Sequence, residues 1–232
     1  MKRQFTILLF FISSIIIFSQ QRNGLDVKLK GKTVQKASQI KRKKTQVQFQ
    51  QNSDKVESEK NKKHIGQMTV YINGGNATYI GEIENQVANG YGTLTIIDGD
   101  HKGAVYLGNL LNGVFSGKGT YTWSSGSTYT GEWINNLMTG KGILTETDGS
   151  RYDGEWVSGK KNGKGIYTST DGSRYDGEWV DNSRTGNGTQ TWSNGDRYQG
   201  DWVSGNRTGY GTYTWANLTK WSGRWIDGEM IK

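Results

Sequence analysis

The chain has no cysteine and no proline, and the missing cysteine excludes several kinds of site. Disulfides, thiolate metal ligands and a cysteine nucleophile all require that residue. The two histidines, His64 and His101, are too few for a histidine cluster. Apolar stripes at helical spacing are also missing downstream of the N-terminal leader. We therefore expect no metal site and no cofactor.

Glycine and aromatic residues are abundant instead. The 232 residues include 34 Gly, 12 Tyr and 9 Trp, whereas Leu, Ile, Val and Phe are sparse after the leader. This composition is typical of short strands joined by many turns. A core in such a chain must be built from aromatic rings, with glycines making room for them.

The N-terminus has the three-part layout of a secretory signal. Two basic residues precede an apolar run from Phe5 to Phe18, and small or polar residues follow at Ser19 and Gln20. This layout predicts a signal peptide over residues 1–20 and export to the periplasm, the cell surface or the medium. An uncleaved N-terminal membrane anchor is the alternative, although the run is shorter than the roughly 20 residues that span a bilayer.

Residues 21–65 are strongly basic, with a net charge of +9, many glutamines and few aromatics. Such a segment buries too little apolar surface to fold, which predicts a disordered linker. Its basic cluster is a candidate contact for anionic phospholipid and comprises Lys41, Arg42, Lys43 and Lys44. Residues 66–232 carry a net charge of −3, so we expect no nucleic-acid partner for them.

The remainder of the chain, residues 66–232, is repetitive. "RYDGEWVSGKKNGKGIYTSTDGS" at 151–173 is followed directly by "RYDGEWVDNSRTGNGTQTWSNGD". Alignment on the motif Tyr-x-Gly gives six copies and a half copy, which start at Tyr79, Tyr106, Tyr129, Tyr152, Tyr175, Tyr198 and Trp221. From the second copy onward the period is 23 residues, which indicates a repeat architecture.

Within one copy the apolar period is two. Tyr152, Gly154 and Trp156 fall on one side of an extended strand, and charged residues fall on the other. A polar loop is expected after Trp156, then a second strand containing Gly-x-Gly, then a tight Asp-Gly turn at 171–173. Each copy is thus a β-hairpin, and each Trp is expected to lie over the Gly-x-Gly of a neighbouring strand.

The stretch "YDGEWVSGKKNGKGIYTSTDG" resembles the MORN repeat, and the resemblance covers about residues 79–228. It implies an all-β fold, an elongated single antiparallel sheet of stacked β-hairpins. The first two copies depart from the pattern, because Ile83 and Leu110 replace Trp. The residues expected to form the structural repeat core are Tyr129, Gly131, Trp133, Tyr152, Gly154, Trp156, Tyr175, Gly177, Trp179, Tyr198, Gly200 and Trp202.

The regularly spaced acids do not indicate catalysis. Glu132 and Glu155 each precede a Trp, and we expect them to face Lys141 and Lys164 as structural cross-strand ion pairs. No nucleophile with a base can be argued from these positions. The sequence therefore predicts a protein that is not an enzyme and has no catalytic residues.

The leading hypothesis is an exported scaffold that binds an unidentified protein partner through its sheet, with homodimerisation through a sheet edge as one mode. The candidate partner-binding residues vary between copies and are expected in the loops after Trp: Lys160, Lys161, Arg184 and Arg207. The first alternative is binding to an anionic membrane surface through the basic linker. The second is glycan binding, which requires outward-facing Trp rings.

Overall fold

The computed structural model of the chain describes residues 26–60, 62–72 and 74–231. The predicted signal peptide, residues 1–20, lies outside the described residues. The chain divides into two units, Met1–Ser58 and Glu59–Lys232, which we treat separately.

The helix α1 (Asp26–Lys60) occupies most of the segment expected to be a disordered linker, and the structure corrects that expectation. Lys, Gln and Glu, which are frequent there, are good helix formers. A low apolar content limits burial in this segment, but helical backbone hydrogen bonds form without burial. All side chains described in the helix, 36–53, are exposed. Within the described residues, the helix has no apolar stretch long enough to cross a membrane.

The second unit contains one antiparallel sheet of 15 strands, in which each strand pairs with the next along the chain. This confirms the predicted all-β fold of stacked hairpins in a single sheet. The strands are β1 (His64–Ile72), β2 (Gly75–Glu84), β3 (Val87–Ile96), β4 (Val105–Leu111), β5 (Val114–Thr122), β6 (Thr128–Ile134), β7 (Leu137–Thr145), β8 (Arg151–Val157), β9 (Lys160–Thr168), β10 (Arg174–Val180), β11 (Ser183–Thr191), β12 (Arg197–Val203), β13 (Asn206–Thr214), β14 (Lys220–Ile226) and β15 (Glu229–Ile231).

The two kinds of turn are the reverse of what we expected. The connection after Trp156 has only two residues, Ser158 and Gly159, with φ values of 49° and 81°. Two positive φ values are the mark of the tight type I′ hairpin turn. The Asp-Gly sequence lies instead in a five-residue connection, where Ser169 N–H donates to the carbonyl oxygen of Ser173 at 2.8 Å. The strand after Trp156 therefore begins at Lys160, within the predicted loop.

In the regular copies the tyrosine ring covers two glycines of its own hairpin. Gly154 and Gly165 lie opposite each other in β8 and β9, beneath the Tyr152 ring. A Cβ added to either glycine would overlap that ring. The Tyr152 hydroxyl is anchored by donating to the carbonyl oxygen of Glu155 at 3.1 Å. Glycine is needed here because backbone and ring approach too closely for any side chain.

Each regular tryptophan joins its copy to the preceding one. Trp156 lies opposite Gly140, and its Nε1 donates to the carbonyl oxygen of Gly142 at 3.1 Å. Its ring meets Tyr129 and Tyr152 edge to face, at centroid distances of 5.3 and 5.1 Å. The expectation that Trp lies over a neighbouring Gly-x-Gly is confirmed. The same indole bond is made by Trp133, Trp179, Trp202 and Trp225.

The face that carries these rings, called here the aromatic face, holds the core of the sheet. The Tyr and Trp rings of the Tyr-x-Gly-x-Trp motifs in the third to sixth copies are at most 5% exposed. Aromatic burial of this kind supplies most of the stability of a chain with few aliphatic residues. In the first two copies the buried side chains of Ile83 and Leu110 occupy the Trp position. The sheet begins with β1, whose Gly66 lies opposite Gly81 and continues the glycine pairs beyond the first copy.

Candidate binding site

One position on the aromatic face changes character along the sheet. It is the residue directly opposite Trp, or opposite its substitute, in the second strand of each hairpin. From the first copy to the terminal half copy it is occupied by Ala88, Phe115, Met138, Lys161, Arg184, Arg207 and Met230. The position is therefore apolar in the first three copies and cationic in the next three.

Lys161 lies among aromatic rings. Its Nζ is 5.0 Å from the ring centroid of Tyr167, 5.1 Å from that of Tyr152 and 5.4 Å from that of Trp179. Such distances are those of cation–π contacts. The side chain is half-buried, and this desolvation lowers the pKa of the Lys161 ammonium below its ordinary value.

Arg184 repeats this arrangement one copy later. Its Cζ is 4.9 Å from the Tyr175 centroid and 5.6 Å from the Trp202 centroid. Desolvation likewise lowers the pKa of its guanidinium. Arg207 differs, because its Nη2 donates to the carbonyl oxygen of Gly228 at 2.7 Å and so caps the last turn. Lys161 and Arg184 are thus the two cations whose charged groups remain available for a ligand.

Within the described residues, neither charge forms an ion pair. In the part of the chain that the structure describes, no carboxylate lies within 4.0 Å of the Lys161 ammonium or the Arg184 guanidinium. The negative charge of Glu146 partly offsets the lowering of the Lys161 pKa, and the Glu146 carboxylate also accepts a hydrogen bond from the Ser127 hydroxyl at 2.7 Å. A half-buried cation without a partner loses hydration that no ion pair replaces.

The two cations line one cavity of about 380 Å³. This cationic cavity is bounded by Lys161, Tyr167, Trp179, Asn182, Ser183 and Arg184. A second cavity of about 150 Å³ lies on the same face. Its matched lining residues lie two repeat periods earlier in the chain than those of the cationic cavity. This apolar cavity is bounded at the equivalent positions by Phe115, Tyr121, Trp133, Asn136, Leu137 and Met138. The same architecture therefore presents two different surfaces.

The 23-residue hairpins and their Tyr-Gly-Trp core are the features on which the comparison with known families rests. The family model described as MORN repeat matches six consecutive segments of 23 residues: 79–101, 106–128, 129–151, 152–174, 175–197 and 198–220. The chain belongs to the MORN-repeat family. MORN repeats are generally non-catalytic modules for interaction with proteins or membranes. Among curated proteins, none is significantly similar to this chain.

The MORN hairpins place the four predicted partner-binding residues in strands, not in loops. Lys160 and Lys161 open β9, whereas Arg184 and Arg207 are the second residues of β11 and β13. The expectation was wrong because the turn after Trp has only two residues. Lys160 is exposed and pairs with Asp181, with 3.2 Å between Nζ and Oδ1. The cations therefore belong to the aromatic face, except for Lys160.

Sequence reasoning missed the two cavities, although a signal for them was present. A two-residue turn after Val157 pairs Trp156 with Lys161, and the same count pairs Trp133 with Met138. The residue pairs in these MORN turns, Ser-Gly, Asn-Asn and Asp-Asn, all have positive φ values. Such pairs would have indicated a turn of two residues. Comparing the residue opposite Trp between copies then distinguishes hairpins in which that residue is apolar from hairpins in which it is cationic.

The expected ion pairs of the MORN acids are also corrected. A bulge after Gly131 shifts the register, so that Glu132 lies opposite Thr139 and not opposite Lys141. Lys141 lies opposite Glu155 of the next hairpin. The Glu155 carboxylate accepts the backbone N–H of Lys164 at 3.4 Å, and in the described residues neither acid forms an ion pair within 4.0 Å. These acids support the bulge of the MORN hairpin instead.

The other predicted sites fall outside the MORN sheet or have no structural support. The basic cluster of Lys41, Arg42, Lys43 and Lys44 lies on α1, with all four side chains exposed. The repeat-core rings of Trp133, Trp156, Trp179 and Trp202 are buried and present no stacking face to a glycan, whereas Trp123, Trp192 and Trp215 are only partly buried. Throughout the described residues, no three His, Asp or Glu side chains gather where they could hold a metal ion.

Proposed function

We propose that this protein is an exported, non-catalytic scaffold that binds a protein partner along the aromatic face of its MORN sheet. The observation that carries the proposal is the pair of cavities on that face. Their Trp and Tyr walls repeat between copies, whereas the side chains opposite Trp differ. Three of the four such residues that line the cavities, Met138, Lys161 and Arg184, are only half-buried and free to determine what is bound, whereas Phe115 is fully buried. The leader of residues 1–20 supports the export part of the proposal.

Site-specific photocrosslinking in the producing cell tests where the partner binds. A photoreactive amino acid at Ser183, on the rim of the cationic cavity, should capture a protein. The matched control is the same amino acid at Lys164, an exposed residue of β9 on the opposite face. Crosslinks at Lys164 with none at Ser183 would contradict binding on the aromatic face. Intact-mass analysis of the protein from the exported fraction tests whether the leader has been removed.

Binding to an anionic membrane surface is the second candidate, and the exposed basic cluster of α1 favours it. Basic residues near an anionic surface contribute about 1 kcal/mol each. Replacing Lys41, Arg42, Lys43 and Lys44 by Gln should abolish flotation with phosphatidylserine vesicles. Flotation that persists in this variant would exclude the cluster as the contact.

Homodimerisation through a sheet edge is a further mode of partner binding. The last strand β15 pairs only with Arg224–Ile226 of β14, so the first four residues of β14, 220–223, have no strand on that side in the described part of the chain. Unpaired edges favour addition of another strand. Light scattering after gel filtration should give twice the monomer mass, and a monomer at high concentration would reject this mode.

A further inference from the structure

We infer that the cationic cavity binds a carboxylate group of an acidic peptide segment, held between Lys161 and Arg184. This inference rests on the proposed function, because it names the chemistry of the partner on the aromatic face. It concerns one cavity and two side chains, so it can fail while partner binding on that face holds.

Three features of the cavity indicate an anionic ligand. The Lys161 ammonium and the Arg184 guanidinium project into the same cavity from alternate strands, whose backbones are about 10 Å apart. Both side chains are half-buried against rings. Neither has a carboxylate within 4.0 Å in the described residues. A bound anion would supply the charge partner that both lack, in a site where water screens the attraction only partly.

The shape and surroundings of the cavity favour a peptide carboxylate. The cations lie in an open depression whose walls include Tyr167 and Trp179, and both side chains are half-buried against the surrounding rings. A side chain on a flexible peptide can follow the walls of this depression, whereas a flat membrane contacts the residues that protrude. The planar fork of Arg184 also matches the two oxygens of a carboxylate.

The apolar cavity adds a second contact for the same peptide. It lies four strands away, about 19 Å along the sheet, on the same face. An extended chain advances about 3.3 Å per residue, so roughly six residues separate the two cavities. The predicted ligand therefore carries an acidic residue at one end and, about six positions away, an apolar residue that contacts Leu137 and Met138.

Selection from a displayed library of random peptides tests this inference. Peptides of about twelve residues are long enough to reach both cavities. The full chain is used alongside a variant with Lys161→Met and Arg184→Met, changes that place at both positions the residue already present at 138 in the same environment. Lys160→Met is the matched control, because it removes an exposed charge next to the cavity.

The parent and the Lys160→Met control should enrich Asp and Glu, with an apolar residue about six positions away. A selected peptide should lose affinity about tenfold to a hundredfold for the Lys161→Met, Arg184→Met variant, as expected for charge-assisted hydrogen bonds. Replacing its acidic residue by the corresponding amide should cause a similar loss in the parent.

The remaining outcomes overturn either the inference or the proposed function. Peptides enriched without acidic residues, or bound equally by the variant, would leave peptide binding intact and reject the carboxylate site. No enriched peptide at all would contradict the proposed function itself. Phosphatidylserine vesicles and inorganic phosphate are added as competitors. If vesicles bind through Lys161 and Arg184 while no acidic peptide does, the ligand is a lipid headgroup and the inference is wrong.

Discussion

The apolar and cationic cavities are two versions of one structure, separated by two repeat periods. Trp133 and Trp179 are 4% and 5% exposed, and each donates to a glycine carbonyl oxygen of the preceding hairpin. Asn136 accepts the backbone N–H of Phe115 at 2.7 Å, and Asn182 accepts that of Lys161 at 2.8 Å. The backbone, the tryptophan and the turn asparagine are therefore conserved between the two regions.

Three of the matched positions differ between the cavities, and the apolar cavity is lined in addition by His101 and Trp123. Phe115, Leu137 and Met138 line the apolar cavity. The cationic cavity has Lys161, Ser183 and Arg184 at the same positions, and its volume is larger, about 380 Å³ against about 150 Å³. A repeat sheet can thus keep its core constant and change its binding surface at single positions. This separation makes the stability and the specificity of the protein independently testable.

The largest expected effect is alkaline unfolding, which should affect both regions together. Burial raises the pKa of Tyr129 and of Tyr175 to about 12 each, from the usual value near 10. Because the unfolded chain releases these protons first, stability is unchanged below pH 10 and falls as the pH rises towards 12. In a variant whose exposed tyrosines Tyr71, Tyr91 and Tyr210 are replaced by Phe, circular dichroism and tyrosinate absorbance should change in one transition. Ionisation of the buried tyrosines near pH 10 with the sheet intact would show that the core rings are accessible.

Removing the indole should cost the same in both regions. We expect Trp133→Ala and Trp179→Ala each to lower the free energy of unfolding by about 3–5 kcal/mol, through lost burial and a cavity. Urea denaturation measures both values. A cost in one region less than half that in the other would contradict an equivalent core.

A smaller loss is expected from filling a glycine slot. Gly165→Ala places a methyl group against the Tyr152 ring and should cost about 1–3 kcal/mol through overpacking. The control is Gly149→Ala, a turn position with φ of 89° and no neighbouring atom within 4 Å. Its cost should be only the left-handed backbone penalty of about 1–2 kcal/mol. Equal chemical shifts for Tyr152 in parent and Gly165→Ala would show that the ring does not touch this glycine.

The smallest stability effect should come from the cations. Lys161→Met and Arg184→Met remove cation–π contacts, but they also remove the desolvation of an unpaired charge. We expect the free energy of unfolding to change by less than about 1 kcal/mol. Denaturation of the double variant beside Lys160→Met checks this. A decrease in the free energy of unfolding as large as that of Trp179→Ala would show that the two cations contribute to core stability.

The sequence was sufficient to predict the core because the core repeats. Tyr152 and Trp156 recur at a fixed spacing with glycines between them, and period two places them on one face of a strand. This pattern predicts several hairpins joined in a single sheet, because one hairpin alone cannot cover these rings.

The strand registers could not be predicted from the repeat alone, because turn length sets them. The Asp171-Gly172 pair suggested the tight turn, whereas Ser158 and Gly159 form it. Because the turn after Trp is the short one, Lys161 and Arg184 lie in strands on the aromatic face and not in the expected loops. The helix over Asp26–Lys60 was missed because a charge and composition argument addresses burial and not backbone preference.

Moving the cations from one cavity to the other tests the central claim most directly. Leu137→Lys and Met138→Arg, at two positions of the apolar cavity that are not fully buried, are added to the Lys161→Met, Arg184→Met variant, and peptide selection is repeated on the folded protein. If single positions on a constant core determine binding, acidic peptides should be enriched again, at a level close to that of the parent. A variant that folds with unchanged urea midpoint but enriches no acidic peptide would contradict the account.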